Sequence, residues 1–292
     1  MRRPMLIAAM GGLAAWCIVA SLPASAAPPE QAGPPAAAAP PPAPPIAPYV
    51  PRGTPRSAAS DEAMYEHCMS LAKSDPAAAR DYAERWQSRG GEHPADHCYA
   101  ISLIGLKQYK EGAARLEALA KAMVRAPDSL RAEALDQAAQ AWLLANDPSR
   151  AYAAESAALN ILPNDPDILV DRAEAAGSEG WYDKAADDLT RVLKVSPARV
   201  DALIYRATAY RELGRLDDAL SDINRAVNLS PTSVSALLER GDIRRLKGDL
   251  AGARQDWVRV SELAPGSDAD QAAKTNIERL ELKENATAPA RK

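Results

Sequence analysis

His67-Cys68 and His97-Cys98 place the same dipeptide 30 residues apart, with His93 close to the second copy. Three kinds of chemistry use such residues. Two cysteines can be oxidised to a disulfide, thiolates and imidazoles can ligate zinc, and a thiolate beside a histidine can act as a nucleophile. Geometry weighs against zinc: a helical residue and its immediate neighbour point about 100° apart, so His67 and Cys68 do not readily meet one ion. Nor does the chain contain a Cys-x-x-Cys pair. Nothing supports the nucleophile either, since there is no HExxH, no Gly-rich phosphate loop and no Ser-His-Asp order. No catalytic residue, metal or cofactor is therefore expected, and an enzyme is not.

Composition narrows the remaining classes. Across 292 residues, 47 % are hydrophobic, which is ample for a core. Lys and Arg number 35 against 39 Asp and Glu, a slightly acidic balance without the basic face that nucleic-acid binding requires. Residues 1–26 read as a signal peptide. Arg2 and Arg3 precede the apolar run Leu6–Val19, and Ala24-Ser25-Ala26 is a small-x-small cleavage site. The run is shorter than the ~20 residues of a spanning helix, so a membrane is met only through this signal, and only if it stays uncleaved. The expected location is periplasmic or secreted, and the alanine-rich signal has a bacterial look. Residues 27–57 are almost entirely Ala, Pro and Gly, a composition that cannot bury enough surface to offset chain entropy, and they are expected to form a disordered tether.

The elements that position the remaining residues follow a fixed period. Pro163, Pro197, Pro231 and Pro265 are spaced by 34 residues each time. Units counted from Pro166, Val200 and Val234 agree position by position. Position 8 is Ala173, Ala207 or Gly241; position 15 is Gly180, Gly214 or Gly248; position 20 is Ala185, Ala219 or Ala253. Position 24 is the large apolar Leu189, Ile223 or Trp257, and position 32 is the proline. Small residues let two helices approach closely, Gly ends the first helix in a left-handed turn, and Pro halts the second.

This pattern resembles the tetratricopeptide repeat family. A unit from Ala132 keeps Ala139, Trp142, Ala151, Ala158 and Pro163, with Asn146-Asp147-Pro148 in place of the glycine turn. Weaker units run from about His93 and across Ser60–Gly91. The organisation expected is two degenerate helical repeats at 58–126, four repeats of this kind at 127–265, a capping helix at 266–284 and a disordered tail at 285–292. The fold class is all-α, a right-handed superhelical solenoid of antiparallel helical hairpins.

The resemblance also implies functional addresses. First helices of such arrays line a concave groove through positions 2, 5, 6, 9 and 12. Among the residues these select here are Asp136, Gln137 and Gln140, then Asp167, Val170, Asp171 and Glu174. The next unit supplies Ile204, Tyr205, Thr208 and Arg211, and the last Glu239, Asp242 and Arg245. The groove is acidic with an apolar centre, which suits a protein or peptide partner whose Lys or Arg residues flank an apolar anchor. A scaffold or adaptor function follows, with a structural or self-oligomerising module of the cell envelope as the alternative. Neighbouring first helices pack side by side in such arrays, which would bring Cys68 and Cys98 into bonding range. A disulfide there is expected, closing a loop worth roughly 3.6 kcal/mol by chain entropy. Position 7 holds Arg172, Arg206 and Arg240 while position 23 holds Asp188, Asp222 and Asp256, a recurrence that reads as structural salt bridges.

Overall fold

The computed structural model describes residues 58–287. The segments expected to be a signal peptide (1–26) and a tether (27–57) lie outside them, as do residues 288–292 of the expected tail. Among the described residues all regular structure is helical, in six antiparallel hairpins and a final single helix. The first two hairpins are α1 (Ala58–Ser74) with α2 (Pro76–Gln87), and α3 (Glu92–Gly105) with α4 (Tyr109–Ala122). The third and fourth are α5 (Asp128–Leu144) with α6 (Pro148–Ile161), and α7 (Pro166–Ser178) with α8 (Tyr182–Val195). The last two are α9 (Val200–Glu212) with α10 (Leu216–Leu229), and α11 (Val234–Leu246) with α12 (Leu250–Leu263). A closing helix, α13 (Asp268–Thr287), runs three residues past the end expected at 284. No helix among the described residues is long and apolar enough to cross a membrane.

The turn inside each of the last five hairpins is set by one backbone conformation. Gly180, Gly214 and Gly248 all have positive φ, between 73° and 86°, where a side chain would strain the backbone. Asn146 takes the same place at φ 57° and Lys107 at φ 62°, so the turn survives where the glycine signal is lost. Two of the second helices begin instead on an Asp-Pro pair. Asp75 Oδ1 accepts from Ala78 N at 3.0 Å and Asp147 Oδ1 from Arg150 N at 3.2 Å, with Pro76 and Pro148 at the first helical position.

Packing follows the positions read from the repeats. Ala173, Ala185, Ala207, Ala219, Ala253, Leu189, Ile223 and Trp257 are all fully buried, and each large apolar side chain so buried contributes roughly 1.5–3 kcal/mol. One cluster runs from Leu119 in α4 to Leu280 in α13, so α13 covers an apolar end that would otherwise face water. The amino end carries a smaller core of Ala83, Trp86 and Ala95 around Cys68 and Cys98.

The repeated ion pairs form as the spacing implied. Arg172, Arg206 and Arg240 each donate two bonds to Asp188, Asp222 and Asp256, at 2.6–2.9 Å, tying the first helix of a hairpin to its second. Arg172 and Arg206 also reach back one helix, to Ser156 Oγ and Thr190 Oγ1. In the α5–α6 hairpin the same two positions are Ala138 and Ala154, both buried.

Candidate partner-binding groove

Alternate helices touch one another along the odd-numbered set, α1 with α3, α5 with α7, α7 with α9, and α9 with α11. The even-numbered helices lack comparable contacts with one another. The array therefore bends towards its first helices, whose outward positions form the inner face. All the groove residues expected from the sequence lie on these helices, but they divide into two kinds.

Gln137, Val170, Ile204, Thr208 and Glu239 are buried. They form the floor and the supports. Gln137 Oε1 lies 2.6 Å from His97 Nε2, and His97 Nδ1 lies 2.9 Å from the Tyr65 hydroxyl, a polar chain that crosses α5, α3 and α1. Thr208 Oγ1 donates to the Ile204 carbonyl. Glu239 accepts from Arg211 Nε at 2.7 Å, and Arg211 also donates to Glu212. Burial alone would lower the Arg211 pKa, but the carboxylates of Glu239, Glu212 and Asp242 together raise it.

Asp136, Gln140, Asp171, Glu174, Tyr205, Arg211, Asp242 and Arg245 are partly exposed, and Asp167 is exposed. Arg199 binds Asp167 at 2.7 Å and Asp201 at 3.0 Å, which locally neutralises that edge of the groove. The acidity concentrates instead where α5, α6 and α7 meet. Burial, then the charge of Asp136, pushes Asp171 up to about 9. Burial pushes Glu174 up to about 7. Asp242, further along, is raised to about 7 by burial and then by Glu239. Tyr205 is also raised, by burial first and then by the neighbouring Glu174.

One acid of this centre was not selected from the sequence. Glu155 on α6 is 1 % exposed and sits within 4.8 Å of Asp136 and Asp171, measured between one oxygen of each. In the unit counted from Ala132 it is position 24, where the three clear repeats have Leu189, Ile223 and Trp257. That mismatch was the available signal. Burial, and then the charges of Asp136 and Asp171, hold its pKa well above the usual carboxylate range.

Cys68 on α1 and Cys98 on α3 are joined in a disulfide, with their Cα atoms 6.2 Å apart. Both sulfurs are thereby removed from zinc ligation and from nucleophilic chemistry. The histidines are placed apart from one another in role: exposed His67 packs edge-on against Tyr82, and His97 belongs to the Tyr65–Gln137 chain. Burial lowers the pKa of His97.

Helical hairpins of this length, stacked on their first helices with a left-handed turn in five of the six, define a repeat solenoid. Residues 170–234 match the tetratricopeptide repeat family, and the described residues have the all-α fold of a tetratricopeptide-like solenoid. Among solved structures, a MamA RS-1 ArsTM double mutant is 20 % identical and covers 62 % of this chain and 98 % of its own, with a TM-score of 0.53. A second, YrrB, described as a TPR protein with an unusual peptide-binding site, is 16 % identical and covers 66 % of this chain and 96 % of its own, with a TM-score of 0.50. No curated protein matches the sequence.

Proposed function

We propose that this protein is a non-enzymatic scaffold that holds a segment of a partner protein along its inner face, and that it works outside the cytoplasm, in the periplasm or as a secreted protein. The observation that carries the binding role is the partly exposed acidic surface formed by Asp136, Asp171 and Glu174 next to Tyr205. Partly buried carboxylates that lack a fixed cation beside them favour a ligand that brings one. A Lys or Arg side chain supplies that charge, and Tyr205 with its aromatic face offers a place for an adjoining apolar residue. The peptide-binding site described for YrrB, which has the same fold, supports the role without identifying the ligand.

Export is supported by the signal-like residues 1–26 and by the Cys68–Cys98 disulfide, a bond that persists in oxidising compartments.

The test is fluorescence anisotropy of the full chain with labelled peptides in which Lys or Arg flanks one aromatic or aliphatic residue. Binding should weaken as salt is raised and disappear in the double variant Asp171→Lys, Glu174→Lys. Acidic or neutral peptides binding as well as basic ones, or binding indifferent to both salt and charge reversal, would reject this reading of the groove.

A further inference from the structure

Glu155 occupies a position that packing reserves for a large apolar side chain. Leu189, Ile223 and Trp257 fill it in the next three hairpins, each fully buried. Replacing such a residue by a carboxylate costs stability unless something compensates the buried charge. In this hairpin the compensation used elsewhere has been removed. The Arg and Asp positions that pair in α7–α8, α9–α10 and α11–α12 are here Ala138 and Ala154. Arg172 is committed to Asp188 and Ser156. Neither Glu155 oxygen has a hydrogen-bond partner outside the three carboxyls, and the same holds for one oxygen of Asp136. A hydrogen bond between two of these carboxyls would exist only if one kept its proton.

One oxygen each from Asp136, Glu155 and Asp171 lies within 4.8 Å of the others. Three oxygens mutually within 4.8 Å lie at most about 2.8 Å from a common centre, so a shift of a few tenths of an ångström (~0.2–0.5 Å) brings all three onto one calcium ion at its usual distance of about 2.3–2.6 Å. We propose that Asp136, Glu155 and Asp171 form a binding site for a divalent, oxygen-preferring cation such as Ca²⁺ or Mn²⁺. The donor set is all carboxylate, without sulfur or imidazole, which selects hard cations over zinc or copper. Glu155 supplies the buried anchor from α6. Asp136 and Asp171 close over it from α5 and α7, and their partial exposure leaves room for water to complete the coordination. The cation would pin three successive helices together at a hairpin that lacks the Arg–Asp clamp of the three hairpins after it. It would also set the charge of the groove floor.

The proposal is tested on the full chain, stripped with chelator and without any peptide, so that its outcome is independent of the peptide-binding reading. Isothermal titration with CaCl₂, MnCl₂ and MgCl₂ should show one saturable site for at least one of these ions, accompanied by a higher melting temperature. Glu155→Gln keeps the size of the side chain and should weaken binding at least about tenfold. Glu155→Leu installs the residue found at the equivalent Leu189, so it should fold at least as well as the parent yet show no cation-dependent rise in melting temperature. Absence of saturable binding with all three ions would overturn the proposal. So would unchanged binding in folded Glu155→Leu, or in Asp136→Asn combined with Asp171→Asn.

Discussion

Gly241 and Trp257 are fitted to each other so closely that a methyl group on Gly241 would stand 2.4 Å from the Trp257 indole nitrogen. The corresponding pairs in the two preceding hairpins are Ala173 with Leu189 and Ala207 with Ile223. Where the second-helix residue grows to an indole, the first-helix residue shrinks to hydrogen. Gly241→Ala should therefore destabilise the chain by about 1–3 kcal/mol, although alanine is the better helix former. Denaturant unfolding of the single variant, and of Gly241→Ala with Trp257→Leu, checks it, and the second change should recover much of the loss.

Lys107 presents the opposite case. It sits at the turn position filled by glycine in the three clear repeats, and its φ of 62° is unfavourable for a residue with a Cβ. Lys107→Gly should stabilise the α3–α4 hairpin by about 1 kcal/mol. Thermal melting provides the readout, with a rise expected.

The Arg206–Asp222 pair is mostly buried, with side-chain exposures of 14 % and 5 %. Removing one member leaves the other without its main partner, so Arg206→Met should cost about 3 kcal/mol. Arg206→Ala with Asp222→Ala reproduces the Ala138–Ala154 pair of the α5–α6 hairpin. That double variant should be more stable than Arg206→Met if the penalty arises from the stranded carboxylate, and a double-mutant cycle measures the coupling.

The Cys68–Cys98 bond closes a separation of 30 residues around a small, separate core. Reduction should add the mass of two hydrogens and destabilise α1–α4 by up to about 3.6 kcal/mol. Hydrogen exchange should localise the lost protection to residues 58–122, leaving α7–α12 as protected as before.

Asp242 gives a pH dependence whose sign can be worked out. Its folded pKa of about 7 lies above the ordinary aspartate value of 3.8, so the folded state holds a proton that the unfolded chain has released. Its contribution is complete below about pH 4 and is lost as pH rises to about 7. Asp242→Asn, which keeps the shape beside Asn276, should flatten the fall in melting temperature between pH 5 and pH 8.

The repeat architecture was legible in the sequence because each unit depends on local steric demands that few residue types meet. Glycine at Gly180, Gly214 and Gly248, alanine at Ala185, Ala219 and Ala253, and proline at the unit ends mark the hairpins one by one. Arg172 and Asp188, 16 residues apart in a recurring register, likewise announced their salt bridge. The first-helix addresses of the groove residues could be counted from the same ruler.

What the count could not supply was accessibility. Gln137, Val170, Ile204, Thr208 and Glu239 face the same way along the chain as Asp171 and Tyr205, yet close contacts between neighbouring first helices bury them. The convergence of Asp136, Glu155 and Asp171 lay further beyond reach. They come from three helices, and only the stacking of α5, α6 and α7 brings their oxygens within 4.8 Å. A local pattern shows that a carboxylate stands where an apolar residue belongs. Whether it meets a cation, a proton or two other carboxylates depends on distances between helices, which tertiary packing alone fixes.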